Sequence, residues 1–263
     1  MIKYSCSKRL VQIWTTEVID MNKILYFDCL GGLSGDMTLG ALVDLGVDKD
    51  ILIGELDKLG VEGFCLDINK KRKDGISATD VYVHIDENLV YPKRNLNDII
   101  NIINDSSISI RAKEISKSIF ILVAESEAKV HGQPIEDIFF HEIGALDSMV
   151  DIIGASICID LLDIDKIYAS PIHLGTGFIE CANGIIPIPA PATMEVLRDV
   201  PVYQTNIKTE LVTPTGAAII KTIAEDFISM PKMTIRKIGY GSGKKKLPIK
   251  NLLRVFIGEE VVN

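Results

Sequence analysis

Phe140-His141-Glu142-Ile143-Gly144-Ala145-Leu146-Asp147-Ser148-Met149-Val150-Asp151 runs straight into a segment carrying Ile152, Ile153, Ala155, Ile157, Ile159, Leu161 and Leu162. A helix apolar nearly all round belongs in a core, with other elements packed about it. Asp147 and Asp151 lie four apart and therefore share one face of that helix. A carboxylate on a buried helix is costly unless a cation, a metal or a hydrogen-bond network receives it. Two readings follow. In one, Asp147 is an N-cap and Asp151 reaches a nearby cation or backbone donors. In the other, His141, Glu142, Asp147 and Asp151 border a polar or metal-bearing site. Both predict a buried, functionally loaded helix start.

Working outward, the 263 residues suggest one large domain or two small ones, taking roughly 150 residues per domain. Hydrophobic residues at 47% and charged residues at 24% are ordinary for a globular chain with a sizeable core. The net charge of −8 argues against a general nucleic-acid binder, which needs a basic face for phosphates. The five cysteines are scattered, without a Cys-x-x-Cys pair, so neither a disulfide framework nor a zinc ribbon is expected and a reducing cytoplasm is the expected compartment. No stretch suits a signal peptide or a membrane helix. Residues 1–20 are expected to be an extension and residues 21–263 a single domain.

Lys23-Ile24-Leu25-Tyr26-Phe27-Asp28 reads as a buried strand, followed by Cys29-Leu30-Gly31-Gly32-Leu33-Ser34-Gly35-Asp36 and a helix stopped by Gly46. Strand, glycine-rich turn and helix aim backbone N–H groups at an anion. The stretch lacks the Gly-Lys-Ser/Thr and Gly-x-Gly-x-x-Gly patterns, so a tight turn with Ser34 as N-cap remains an alternative. Asp28 and Asp36 flanking the turn favour a cation or a metal-bound phosphate. Residues 49–60 read as a helix, and residues 64–86 as a β-hairpin closed by Asp74-Gly75, with His84 solvated on its return strand. Helices are expected at 96–104 and 109–131. Glu127 and His131, four apart, form a helix-surface pair or share a metal.

Further on, residues 166–174 read as a strand and 178–188 as an extended segment. A helix is expected at about 191–198, and another at 215–227, started by Thr213 and Pro214. Strands at 232–239 and 251–257 bracket Gly239-Tyr240-Gly241-Ser242-Gly243-Lys244-Lys245-Lys246, a phosphate-binding or flexible hairpin loop. The expected fold class is α+β, a mixed α/β arrangement of helices packed on a mixed β-sheet.

Several of these stretches together resemble the LarC-type nickel-insertion proteins. They are Asp28-Cys29 with Gly32-Leu33-Ser34-Gly35-Asp36-Met37, Glu127 with residues 128–132, His141-Glu142-Ile143-Gly144-Ala145 with Asp147-Ser148 and Val150-Asp151, Ser170-Pro171 with Gly175 and Gly177, residues 187–193, residues 210–217, Gly239-Tyr240-Gly241, and Asn251-Leu252-Leu253-Arg254. They run in order over about 230 residues, and it is the ordered set that is specific. The resemblance implies insertion of nickel into pyridinium-3,5-bisthiocarboxylic acid mononucleotide, giving the nickel-pincer cofactor of lactate racemase with metal–sulfur and metal–carbon bonds. It also implies CTP dependence and a divalent cation, manganese or magnesium.

A sulfur-bearing ligand must take nickel from a harder His/carboxylate site that binds specifically but releasably. His141, Glu142, Asp147, Asp151, Glu127 and His131 are the candidate metal donors. Gly32, Ser34, Gly35, Thr213, Thr215 and Gly216 are the candidate holders of the mononucleotide phosphate, and Asp28, Asp36 and Asp147 the candidate catalytic carboxylates. Members of the family commonly carry a histidine-rich stretch near residues 86–97 and a second histidine where Phe139 stands. Their absence weakens the case for nickel storage. Many relatives continue beyond the position of Phe256 into a C-terminal domain associated with CTP binding and oligomerisation. This chain is expected to correspond to the N-terminal part and to need that separate domain as partner, with self-association a further partner expectation and no nucleic acid or membrane. Two other readings stand beside this one. They are a non-catalytic nickel-binding scaffold and a divalent-metal phosphohydrolase using Asp28, Asp36 and Asp147.

Overall fold

The computed structural model describes residues 22–73, 75–140, 146–181 and 184–261. In chain order the elements are β1 (Lys23–Asp28), α1 (Gly35–Asp44), α2 (Lys49–Asp57), β2 (Phe64–Lys73), β3 (Ile76–Ile85), α3 (Leu96–Asp105), α4 (Ile110–His131) and α5 (Leu146–Leu162). There follow β4 (Lys166–Ala169), β5 (Ile172–Leu174), β6 (Phe178–Cys181), β7 (Gly184–Pro187), α6 (Pro191–Val196), β8 (Val202–Gln204), α7 (Pro214–Ile223), β9 (Asp226–Phe227), β10 (Met233–Ser242) and β11 (Leu252–Glu260). Seven strands form one mixed sheet in the order β2-β3-β10-β11-β1-β4-β9, and β5/β8 and β6/β7 form two small sheets. This is the α+β class expected from the interleaved pattern.

β1 sits inside the sheet, antiparallel to β11 and parallel to β4. Ile24, Leu25 and Phe27 are wholly buried, as a strand covered on both faces must be. α1 lies across β10 at a distance only glycine allows. A Cβ on Gly241 would sit 1.8 Å from the Met37 carbonyl oxygen, one on Gly239 would sit 2.3 Å from that of Ala41, and one on Gly40 would sit 2.6 Å from that of Thr79. The Asp44 carboxylate at the end of α1 fastens the contact by accepting from the Tyr240 N–H at 3.0 Å and from Thr79 Oγ1 at 2.5 Å. α5 then packs between α1 and α4. Its Met149, Val150, Ile152 and Ile153 are fully buried, at roughly 1.5–3 kcal/mol per side chain.

Several expected boundaries shift for identifiable reasons. The strand expected at 166–174 splits, because Pro171 has no N–H to continue a ladder, and Ser170 Oγ instead accepts from the Cys29 N–H at 3.0 Å. The segment at 178–188 folds back on itself as the β6/β7 hairpin. The helix expected at 215–227 ends at Ile223, and residues 226–227 join the sheet beside β4. The strand expected at 232–239 continues to Ser242, so Gly239 to Ser242 is not loop. α5 begins at Leu146, which places Asp147 in its first turn rather than at the N-cap. The hairpin at 64–86 is present as β2/β3, with Gly75 at φ +88° in its turn. No helix among the described residues is long and apolar enough to cross a membrane.

Candidate functional site

The N-termini of α1, α5 and α7 open onto one polar cleft of about 570 Å³. Ser34, Gly35 and Asp36 come from α1 and its cap, Asp147, Ser148 and Asp151 from α5, and Thr213 and Thr215 from α7 and its cap. The first turns carry N–H groups without intrahelical partners and a partial positive charge. Two loops are zipped together to bring α1 and α7 side by side. The Leu33 N–H donates to the Leu211 carbonyl at 2.8 Å, and the Thr213 N–H donates back to Leu33 at 3.0 Å. Gly216 permits the approach, since a Cβ there would stand 2.7 Å from both Leu33 O and Ser34 Cα. Gly32 bends the first loop at φ +124° and faces Asn251 rather than the cleft.

Thr213 caps α7 by accepting from the Gly216 N–H at 3.1 Å. Thr213→Ala should therefore cost about 1 kcal/mol of stability, read as a melting temperature lower by about 2–4 °C. Ser34 makes no such cap bond; its hydroxyl donates to the Asp36 carboxylate.

The cleft's fourth wall is β3. This strand pairs with β10 only at Thr79↔Gly241, so its outer half, still paired with β2, parts from β10, and Tyr82, His84 and Ile85 line the opening. Lys244 bridges the gap. Its ammonium donates to Asp80 Oδ1 and the Val81 carbonyl, both at 2.6 Å, lies 3.6 Å from Asp36 Oδ2 and sits 5.7 Å from the Tyr82 ring centroid. Burial raises the Asp80 carboxyl, but Lys244 and Lys71 outweigh it and hold the group below the usual carboxylate range.

Asp151 is the enclosed member of the set. Its Oδ1 is enclosed and has no hydrogen-bond partner among the described residues, while its carboxylate stands over Gly35, where a Cβ would fall 2.5 Å from Oδ2. Burial, then the charges of Asp36 and Asp147, push its carboxyl well above the usual range, with Lys244 acting in the opposite direction. Asp147 is exposed and accepts from the Ser148 N–H at 2.8 Å. Among the described residues no three His, Cys, Asp or Glu side chains converge closely enough to hold a metal ion.

The cleft thus gathers Ser34, Gly35, Asp36, Asp147, Asp151, Thr213 and Thr215 from the sequence candidates. It does not gather Asp28, whose carboxylate pairs with the Arg254 guanidinium across β1 and β11. A single centre built from Asp28, Asp36 and Asp147 is not formed. Glu127 and His131 lie 3.3 Å apart at the end of α4 and do not border this cleft, as a helix-surface pair does. His141 and Glu142 lie outside the described residues. His84, expected as a solvated edge residue, borders the cleft, half-exposed and edge-on to Tyr82 at 4.6 Å. The i, i+2 spacing of Tyr82 and His84 was its only signal. Lys244 stood in the lysine-bearing segment 239–246 and Ser148 beside Asp147, while Glu87 carried no signal.

No solved structure matches the chain. The pyridinium-3,5-bisthiocarboxylic acid mononucleotide nickel insertion protein of Acetivibrio thermocellus is 49% identical over 245 residues, 90% of this chain and 60% of that protein. Its Clostridium kluyveri counterpart is 46% identical over 249 residues, 90% of this chain and 62% of its own length. The Geobacillus kaustophilus one is 46% identical over 247 residues, 90% of this chain and 60% of its own. The chain therefore spans about 60% of the length of these curated relatives. The family model described as nickel insertion protein matches residues 25–263, and the chain belongs to that family.

Proposed function

We propose that this chain holds the pyridinium-3,5-bisthiocarboxylic acid mononucleotide while nickel is inserted into it, acting with the remaining, C-terminal portion of a LarC-type protein. The observation that carries this is the convergence of three helix N-termini and three aspartates on one cleft. The N-termini with Thr213, Thr215 and Ser34 receive the phosphate. Asp36 and Asp147 supply negative charge for the incoming nickel and Asp151 gives up its proton as the metal arrives, with His141 and Glu142 six and five residues before Asp147 in sequence. Carboxylate oxygens bind nickel weakly compared with sulfur, so the substrate's two thiocarboxylates can complete the coordination and draw the metal away.

A hard divalent cation such as manganese or magnesium would need these oxygens drawn closer together than they stand, and Asp151 Oδ1, enclosed and unpartnered among the described residues, is the donor most in need of one. When bound, that cation would supply charge neutralisation between the phosphate and the carboxylates. CTP dependence belongs, in this reading, to the part of the relatives that this chain does not span.

The test is a calorimetric nickel titration of the chain, with and without the mononucleotide. The substrate should strengthen nickel binding, and Asp147→Asn should weaken it at least roughly tenfold. The amide oxygen can still accept from the Ser148 N–H, so the fold should persist. Equal nickel affinity in parent and variant would remove the cleft from the reaction.

A further inference from the structure

A second cavity, of about 350 Å³, opens beside Arg254 and shares no lining residue with the cleft. Its two walls are set by strand register. On the main sheet, Asp28, Arg254 and Tyr240 stand opposite one another on β1, β11 and β10, a row across three neighbouring strands. On the small sheet, His173 of β5 is the register partner of Tyr203 of β8, and their rings stack at 4.8 Å with 2° between planes. His173 is 5% exposed, yet both ring nitrogens are satisfied, one by the Leu30 carbonyl and the other by Thr205 Oγ1, each at 2.8 Å. Since a carbonyl only accepts, Nδ1 carries a proton and donates it to Leu30, while Nε2 is bonded to the Thr205 hydroxyl. The imidazole is a fixed plate.

The floor is not loosely packed. A Cβ on Gly31 would lie 2.2 Å from the Leu252 carbonyl oxygen, so the backbone is already in closest approach there. The space is therefore a property of the walls, and its size falls within the range of small-molecule sites, roughly 300–1,000 Å³. The charged residues lining it are Arg254 and Lys250, and no carboxylate does so among the described residues. Asp28 accepts from one guanidinium nitrogen of Arg254, while 44% of that side chain remains exposed. A guanidinium fixed at one end and open at the other is preorganised for a planar anion.

We propose that this cavity binds a small planar aromatic anion, its ring held against Tyr203 and Tyr240 and its anionic group on the guanidinium of Arg254. The site is separate from the cleft that holds the mononucleotide in the reading above, and it stands whether or not that reading does. Nicotinate, a planar ring bearing one carboxylate, is the probe, with cyclohexanecarboxylate as its non-planar counterpart.

Saturation-transfer NMR and calorimetry on the full chain should detect nicotinate binding and little or no binding of cyclohexanecarboxylate up to about 10 mM. Arg254→Met should weaken nicotinate binding at least roughly tenfold, the loss expected for a charge-assisted hydrogen bond. That variant leaves Asp28 buried without its partner, so Tyr203→Leu, which keeps the Asp28–Arg254 pair, is the second test and should also weaken binding. Three results would overturn the proposal. They are no nicotinate binding by the parent, equal binding of both acids, or nicotinate affinity unchanged within about twofold in Tyr203→Leu and in folded Arg254→Met.

Discussion

Gly241→Ala should lower stability by about 3 kcal/mol, and the melting temperature by about 6–12 °C for a domain of this size. The new methyl would lie 1.8 Å from the Met37 carbonyl oxygen and 2.9 Å from the Ala41 nitrogen. Both are backbone atoms of α1, so relief requires lifting the helix from β10 rather than turning a side chain. The lift also moves Asp36, one residue from Met37, and nickel affinity should fall with stability. Gly54→Ala is the internal comparison. Gly54 lies within α2 with nothing inside 4 Å of its Cβ position, and there alanine should be neutral or stabilising by up to about 1 kcal/mol. Equal melting temperatures for the two variants would disprove the close contact of α1 with β10.

The second large effect is the pH response of Asp151→Asn. The folded protein holds the Asp151 proton at pH values where the unfolded chain has released it. Parent stability should therefore fall as pH rises from near 4 up to the raised folded value, and stay at the lower level above it. The groups acting on Asp151 are Asp36 on α1, Asp147 on its own helix and Lys244 across the cleft. Asparagine removes the titration. The two proteins should melt together near pH 4, and the variant should melt higher than the parent at neutral pH. Magnesium or nickel should raise the parent more than the variant and close the gap. Thermal melts across pH with and without the metal decide it; a parent that gains on Asp151→Asn as pH rises would mean that the carboxylate has a partner.

The elements legible in the sequence were those specified by their own residues. The buried helix α5 announced itself by the run of Met149, Val150, Ile152 and Ile153, and the β2/β3 hairpin by its alternation and Asp74-Gly75 turn. Gly241, beyond the expected end of the strand at Gly239, reads as loop from sequence because glycine in a strand marks close approach only when the approaching backbone, here α1, is known. Asp28 and Asp36 group together in sequence because they flank the same glycine-rich turn. The short turn at residues 29–31 puts them on opposite sides of one loop, and the guanidinium that claims Asp28 comes from 226 residues away. Lys244 reaches Asp80 over 164 residues, a pairing no local pattern encodes.

That loop has one more consequence. Leu30 and Gly31 border the cavity beside Arg254, and Ser34 to Asp36 border the cleft, so one run of seven residues supplies lining to each of them from its two ends. Any displacement of this partition by an occupant on one side is felt on the other. Thermodynamic reciprocity then requires that whatever factor the first ligand imposes on the affinity of the second, the second imposes on the first.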